Sequence, residues 1–562
     1  MTTTIYPAAS VHTFDPSRHT ADAVAVRDGR FLAVGSVDDL LRIDGATLDG
    51  SLERFTLIPG FVEAHCHAMT GGMWLHTYCG YFDRQGPDGH VWSGCQSLDD
   101  VIERLHEADA RMATSAAPDE PLLAWGLDPI YFRGERLVAK HLDLVSATRP
   151  ILVMHASIHL ATVNNALMEI EGITPDTDME GVPKDGSGWP IGELQEPAAM
   201  SLAGTAFRKF WGRTKSDESL RNFGARARTT GTTTLTDLGN PDSASESEID
   251  RFRAVVDTED FPARLSVFHM PVPGTPEAIR EAAAAVRASK ELSSSKLRLG
   301  HVKLVMDGSI QGYTARLRWP GYLDRAGNSS GNSSGNGTSN GIWVVPPEQV
   351  TDILRPYHAA GLLIHVHCNG DEAVDVYLEA VESLLAETPR ADHRHTVQHC
   401  QLTSPAQYRR IAALGMCANV FSNHTWYWGD QHASSTVGPD RAARMNSART
   451  ALDLGVPLSM HSDAPVTPLG GLHVAWSAVN RLTPSGIVLG PDERISVPEA
   501  LHAVTMGAAH QLKMDDEVGS ISPRKFADLA ILEADPFAVD PMELRDVPVW
   551  GTMLGGRIFE AG

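Results

Sequence analysis

The chain is poor in cysteine, in positive charge and in long apolar runs, and each shortage closes off a class of protein. Six cysteines among 562 residues cannot make a disulfide framework. No stretch approaches the roughly 20 consecutive apolar residues of a membrane helix, so no membrane partner is expected. The opening Met1-Thr-Thr-Thr-Ile-Tyr-Pro has neither the basic region nor the apolar run of a secretory signal, so the expected location is cytoplasmic. Forty-seven basic residues stand against 70 acidic ones, a formal net charge of -23. A field of that sign repels phosphate backbones, so no nucleic acid is expected. What remains is a chain long enough for a large core, with 42% hydrophobic and 21% charged residues, the composition of a globular protein. A small-molecule substrate is the expected partner, and association of identical chains stays open.

The two ends read as short strands and turns. Ala23-Val-Ala-Val-Arg-Asp-Gly-Arg-Phe-Leu-Ala-Val-Gly holds an Asp-Gly hairpin signal between apolar runs, and Phe526-Ala-Asp-Leu-Ala-Ile-Leu and Gly551-Thr-Met-Leu-Gly-Gly-Arg-Ile-Phe are similar. Between them, short apolar strands alternate with helical stretches, as in Thr232–Asp237, His301–Asp307, Leu362–His367 and Val456–Asp463. Repeated β-then-α units favour a parallel sheet, of which a (β/α)8 TIM-type barrel is the closed form. The expected fold is therefore α/β. A composite β-sandwich comprises residues 1–58 with 514–562, and a barrel spans 59–513 with an inserted α/β subdomain at about 97–200. The Gly/Asn/Ser-rich stretch Gly327–Gly341 is too polar to pack and reads as a mobile loop.

The strongest local signal is Ile58-Pro-Gly-Phe-Val-Glu-Ala-His65-Cys66-His67. If Phe61–His67 is a strand, its period of two puts both histidines on one face, at the C-terminal end where barrel active sites are built. Two imidazoles there can share a transition metal. Four further strands carry suitable residues: Lys303, His367, His399 and Asp463. His365 and His461 share faces with His367 and Asp463 but lie deeper, as packing or supporting partners. His393 and His395 are taken as structural. Cys66, Cys368 and Cys400 each follow one of these histidines, so on a strand they point away from whatever the histidines face, as buried structural thiols.

The set His65-x-His67, Lys303, His367, His399 and Asp463 resembles the amidohydrolase superfamily. The wording around it narrows the resemblance to amidohydrolase family 3, the group of N-substituted formamide deformylase-like enzymes. Similar stretches are Pro59-Gly-Phe-Val-Glu-Ala-His-Cys-His, Val302-Lys-Leu-Val-Met-Asp-Gly-Ser, Thr314-Ala-Arg, His367-Cys-Asn-Gly-Asp and Gly455-Val-Pro-Leu-Ser-Met-His-Ser-Asp. His159-Leu-Ala-Thr-Val-Asn and Gly192-Glu-Leu-Gln-Glu look like the family's insert. Two departures stand out: Gln398 where the family commonly has Glu, and His461 where a glycine often precedes Ser-Asp.

The resemblance implies one or two divalent ions, zinc first among them, that activate water and polarise a carbonyl. It implies that His65, His67 and Asp463 hold the first ion and that His367 and His399 hold the second. Lys303 would bridge them as a carbamate, since an ammonium offers no lone pair. Asp463 would move the proton from water to the leaving nitrogen. The expected activity is hydrolysis of a C–N, amide-type bond outside peptides. Lactone, cyclic imide, phosphoester and deaminase chemistry stay open on the same site, as does a metal-binding regulator without catalysis. Asn423-His-Thr-Trp-Tyr-Trp-Gly-Asp reads as an aromatic loop opening on the site, with Trp426 and Trp428 as substrate contacts alongside His159 and Arg316.

Overall fold

The computed structural model describes residues 2–114, 117, 119–132, 135–323 and 340–562. The expected Gly327–Gly341 loop lies, up to residue 339, outside them.

The middle of the chain builds an eight-stranded, all-parallel sheet in sequential order. Its strands are β1 (Phe61–Val62), β2 (Thr232–Asn240), β3 (Arg264–His269), β4 (Leu297–Val305), β5 (Leu363–Cys368), β6 (Thr396–His399), β7 (Cys417–Val420) and β8 (Leu458–Met460). These strands are buried along almost their whole length, the signature of a parallel sheet covered on both faces. The sheet curls, and its two edges are stitched together just beyond the strands. Asp463 N donates to His65 O at 3.1 Å and His67 N to Ala464 O at 2.8 Å. The buried Glu63 side chain reinforces the seam by accepting from Ser462 Oγ at 2.6 Å.

A second sheet joins both ends of the chain. In order its strands are Arg557–Glu560, Val549–Leu554, Leu529–Leu532, Thr56–Pro59, Thr3–Asp15, Arg18–Arg27 and Arg30–Gly35, and Ala46–Leu48 pairs with Thr3–Asp15. The Asp28-Gly29 turn has φ of 52° and 76°, the two positive values that a type I′ hairpin requires. Asp528, just before the Leu529–Leu532 strand, holds Arg264 of β3 through two hydrogen bonds, 2.7 and 2.9 Å, with both side chains buried. That fork docks the terminal sheet against the parallel one.

A third, five-stranded sheet runs Glu193–Gln195, Leu160–Val163, Ile151–His155, Leu122–Leu127 and Thr77–Tyr78. It lies in sequence wholly between β1 and β2, and its first strand, Thr77–Tyr78, precedes residue 97. All six cysteines are buried and unpaired. Cys66 and Cys400 turn their thiols to backbone carbonyls of Thr236 and Val397.

Candidate metal centre

The stitched seam brings the ends of β1 and β8 together. The β1 strand ends at Val62, so His65 and His67 sit on the connection that follows and not on a strand ladder. They still converge: His65 Nε2 and His67 Nε2 each lie 3.3 Å from Asp463 Oδ1. Neither contact has hydrogen-bond geometry, and Oδ1 is buried without a hydrogen-bond partner. Asp463 and His399 both have left-handed backbones, with φ of 54° and 73°. Such strain in non-glycine residues gathers where surrounding structure forces a functional geometry.

Lys303 projects from β4 into the same space, with Nζ 3.1 Å from His65 Nε2. His399 completes the inner ring. Its ring centroid lies 4.5 Å from that of His65, and its Nδ1 is 3.9 Å from Asp463 Oδ2. His367 is adjacent, its ring 4.5 Å from that of His399, but its Nε2 faces Gly308 O at 3.2 Å and Asn369 Nδ2 at 3.0 Å. Five of the six residues read from the sequence thus meet through polar atoms, and His367 meets them edge-on through its ring.

The neighbours select which nitrogen of each imidazole is free. Gln398 Oε1 lies 2.6 Å from His65 Nδ1 and also accepts from Asn419 Nδ2 at 2.8 Å. An amide oxygen only accepts, so His65 carries its proton on Nδ1 and offers a lone pair at Nε2. Gln398 turns its amide nitrogen to His365 Nδ1 at 2.8 Å, which makes His365 a supporting residue, as expected. His461 supports His399 in the same manner, Nε2 to Nδ1 at 3.0 Å. His393 and His395 are structural, bound to Leu414 O and to the His358 ring.

Charge follows from burial. Desolvation drives His65, His367 and His399 well below the ordinary imidazole range, so they are neutral, the form that binds metals. Burial pushes the Lys303 ammonium down to about 7. Burial also raises the Asp463 carboxyl, but His67, His461 and Lys303 together more than offset it and hold the group below its ordinary value, ionised. Neutral imidazoles, one carboxylate and buried orphan atoms at Asp463 Oδ1 and His399 Nε2 are the donor set of a divalent transition ion. Among the described residues, two groups of three donors have their ligand atoms within 4.8 Å of one another: His65, His67 and Asp463, and His65, His399 and His461. In the second group His399 and His461 are hydrogen-bonded to each other, so the first is the more open to an ion.

Three residues were not singled out from the sequence. Asp307, two positions past β4, is fully buried and accepts from the backbone N–H of Arg316, Asn369 and Gly370 at 2.9, 3.0 and 2.8 Å. Its Oδ1 lies 3.6 Å from His367 Nε2, and burial lifts its carboxyl to about 7. The rule that selected the other strand-end residues would have found it. Glu63, two residues before His65, and Glu196 are the others. Glu196 Oε2 binds His159 Nδ1 at 2.7 Å, and the His159 ring lies 5.0 Å from that of His367. Burial works against a charged His159, yet Glu196 raises its pKa above the ordinary value. His159 is therefore at the edge of the cluster.

The other expected substrate contacts are placed elsewhere. Arg316 spends its guanidinium on Glu372, at 2.8 and 3.0 Å, on Gly341 O, and over the Trp343 ring. Asn423–Gln431 is a helix, which corrects the expectation of a loop. Trp426 packs edge-on against Trp476, with centroids 5.1 Å apart, and under Arg545. Trp428 donates from Nε1 to Asp128 Oδ2 at 2.8 Å, tying this helix to the sheet inserted between β1 and β2. Phe421 separates Trp428 from His461.

Comparison with known proteins places this arrangement in a family. Residues 52–559 match the amidohydrolase family profile, and the chain belongs to that family, a family of hydrolases. It is 28% identical to Protein LONG AFTER FAR-RED 3 of Arabidopsis thaliana, over 98% of this chain and 90% of that one. It is 25% identical to N-substituted formamide deformylase of Arthrobacter pascens, over 98% and 96% of the two chains. The fold is similar to the crystal structure of an uncharacterized metal-dependent hydrolase from Pyrococcus horikoshii, with a TM-score of 0.68 and 19% identity, covering 96% of this chain and 99% of that one. Among the described residues, no helix is long and apolar enough to cross a membrane.

Proposed function

We propose that the protein is a metal-dependent hydrolase of a small-molecule C–N, amide-type bond. The observation that carries this reading is the convergence of His65 Nε2 and His67 Nε2, 3.3 Å each, on an Asp463 oxygen that nothing else satisfies. The near full-length similarity to a formamide deformylase supports the choice of bond.

In this reading His65, His67 and Asp463 hold one divalent ion, zinc in the first instance. His367 and His399 would hold a second, and Lys303, as a carbamate, would supply a further carboxylate-like ligand. Such an ion supplies Lewis acidity and brings a water's pKa toward neutrality. The chain's own residues do the rest. Asp463, ionised and aimed into the cluster, accepts the proton of the attacking water and delivers it to the leaving nitrogen. Gln398 keeps the His65 lone pair facing inward. His159, held by Glu196 at the edge, is positioned to donate to a substrate oxygen.

The same reading takes the curled parallel sheet as a (β/α)8 barrel sealed by the Glu63–Ser462 seam, spanning residues 59–513. The terminal sheet is a sandwich of 1–58 and 514–562, in which the long Thr3–Asp15 strand bends at its two register shifts. The unpaired thiols suit a reducing, cytoplasmic setting.

The test is metal analysis joined to a panel of N-substituted formamides, cyclic imides, lactones and phosphoesters. The expected result is one or two bound divalent ions and turnover of an amide-type substrate that chelation abolishes and His67→Ala removes. Full activity after exhaustive chelation, or turnover of lactones or phosphoesters alone, overturns the proposal.

A further inference from the structure

Arg84 and Arg226 line one pocket beside the metal centre, and neither has a carboxylate partner among the described residues. Arg84 sits on the short strand Arg84–Gln85, and Arg226 on the helix Asp217–Thr229. Arg84 donates from Nη2 to the carbonyl of Pro465 and lies 5.2 Å over the Trp125 ring. Arg226 donates from Nη1 to Gln85 Oε1 at 3.0 Å. Tyr78 also faces Arg84, and with five N–H donors on each guanidinium, both keep donors without a partner among the described residues.

Two half-buried cations side by side without a counter-charge are costly. Desolvation depresses both guanidinium pKas, and the charge of Arg84 adds to the depression of Arg226. The chain has no shortage of acids, with 70 Asp and Glu against 47 Lys and Arg. It pairs Arg136 with Glu193, Arg149 with Asp109 and Arg264 with Asp528, and it meets the buried Arg481 with four backbone carbonyls, of Leu489, Asn446, Ala443 and Met445. Asp83 and Asp88, nearest in sequence, are exposed and form no ion pair with either arginine. The missing negative charge points to a ligand.

The pocket has a volume of about 40 Å³. By the roughly 10–15 Å³ that one water needs, it takes the head of an oxyanion and excludes a whole substrate. Thr70 and Pro465 belong to its wall. Pro465 follows the Asp463-Ala464 step, and Ala464 O binds His67 N at 2.8 Å. The pocket is thus a neighbour of the metal centre, behind the peptide that holds Asp463, and shares none of its ligands.

We propose that Arg84 and Arg226 form a binding site for a small oxyanion, a phosphate or carboxylate group, distinct from the histidine cluster. Planar guanidinium forks are matched to two-oxygen recognition of such groups. Inorganic phosphate and acetate are the probes, titrated calorimetrically into the full-length protein at constant ionic strength set with chloride. Saturable binding of either is expected, weakened roughly tenfold or more in Arg226→Gln, as the loss of charge-assisted hydrogen bonds requires. Phosphate in preference to acetate assigns the site to a phosphate group, and the reverse assigns it to a carboxylate. Because Arg84 also supports Pro465, Arg226→Gln is the primary variant and Arg84→Lys the second. His67→Ala, which breaks the metal cluster, is expected to bind the anion as the parent does. Binding unchanged in Arg226→Gln, binding lost in His67→Ala, or no saturation by either anion overturns the site. The last two outcomes leave the proposed hydrolysis standing or falling on its own test.

Discussion

His399 Nδ1 lies 3.0 Å from His461 Nε2, and the opposite nitrogen of His399 is buried with no hydrogen-bond partner among the described residues. One member of the pair must carry the shared proton, and the contact fixes the ring orientation of His399. A donating Nδ1–H leaves Nε2 with its lone pair toward the cluster. Phe421 stacks on the other face of His461, centroids 4.9 Å apart, so the imidazole cannot swing away. His461→Phe is expected to weaken metal binding or lower kcat by roughly 10–100-fold, the usual cost of removing a ligand's supporting partner. His461→Gln, which restores an acceptor, should recover part of the loss. Metal retained against graded chelator separates the outcomes, and unchanged affinity in His461→Phe would show that the contact does not position His399.

Lys303 is expected to become a carbamate. Its Nζ is buried beside His65, and burial brings its pKa to about 7, so an appreciable share of neutral amine exists near physiological pH. Neutral amine is the form that adds carbon dioxide. Protein prepared with carbon-13 bicarbonate should show a carbamate resonance that is absent in Lys303→Ala. The variant should lose metal, and added short carboxylates should restore part of the activity. A labelled parent without that resonance rejects the bridge.

Much of the centre could be read from strand logic, and its failures have local causes. His399 closes the strand Thr396–His399, where the C-terminal-end rule expects a site residue. The same rule overextended β1. Beyond Val62 the backbone is engaged by Asp463 N and Ala464 O, partners about 400 residues away in sequence that no periodicity reveals. Gln398 stands where the resemblance expects Glu, and its two-ended amide lets it serve His65 and His365 together. Arg316 was read from its nearness to Lys303 in the chain, but Glu372, on the helix after β5, claims its guanidinium. Trp426 and Trp428 looked alike because a loop was assumed. On a helix, residues two apart point about 200° from each other, so they serve different neighbours.

Trp426 should consequently matter to stability and not to substrate size. Its ring is packed on Trp476, itself 1% exposed, and under Arg545. Trp426→Ala should cost about 2–4 kcal/mol in urea unfolding, in the range for truncating a large packed side chain. KM across formamides with N-substituents of rising size should move by a common factor, with metal content unchanged. A KM penalty confined to bulky substrates would return Trp426 to the substrate pocket.

The joint between the Asn423–Gln431 helix and the inserted sheet should be weakened by base and not by acid. Asp128 is 3% exposed, accepts from Trp428 Nε1 at 2.8 Å, and has its carboxyl raised by burial from 3.8 to about 7. Between those values the folded protein binds more protons at this site than the unfolded chain does. By linkage, stability is then fully present below the unfolded pKa and is lost as pH rises through the folded one. At about 1.36 kcal/mol per unit, the loss attributable to this carboxyl is about 4 kcal/mol at most. Asp128→Asn keeps a carbonyl for Trp428 and carries no charge. Its advantage over the parent should be near zero at about pH 4, grow through neutrality and level off above about pH 7. Urea unfolding of both proteins across that window measures the difference directly. If Asp128→Asn destabilises equally at every pH, the carboxylate is paired in place, and the cause of the pH response moves to another group.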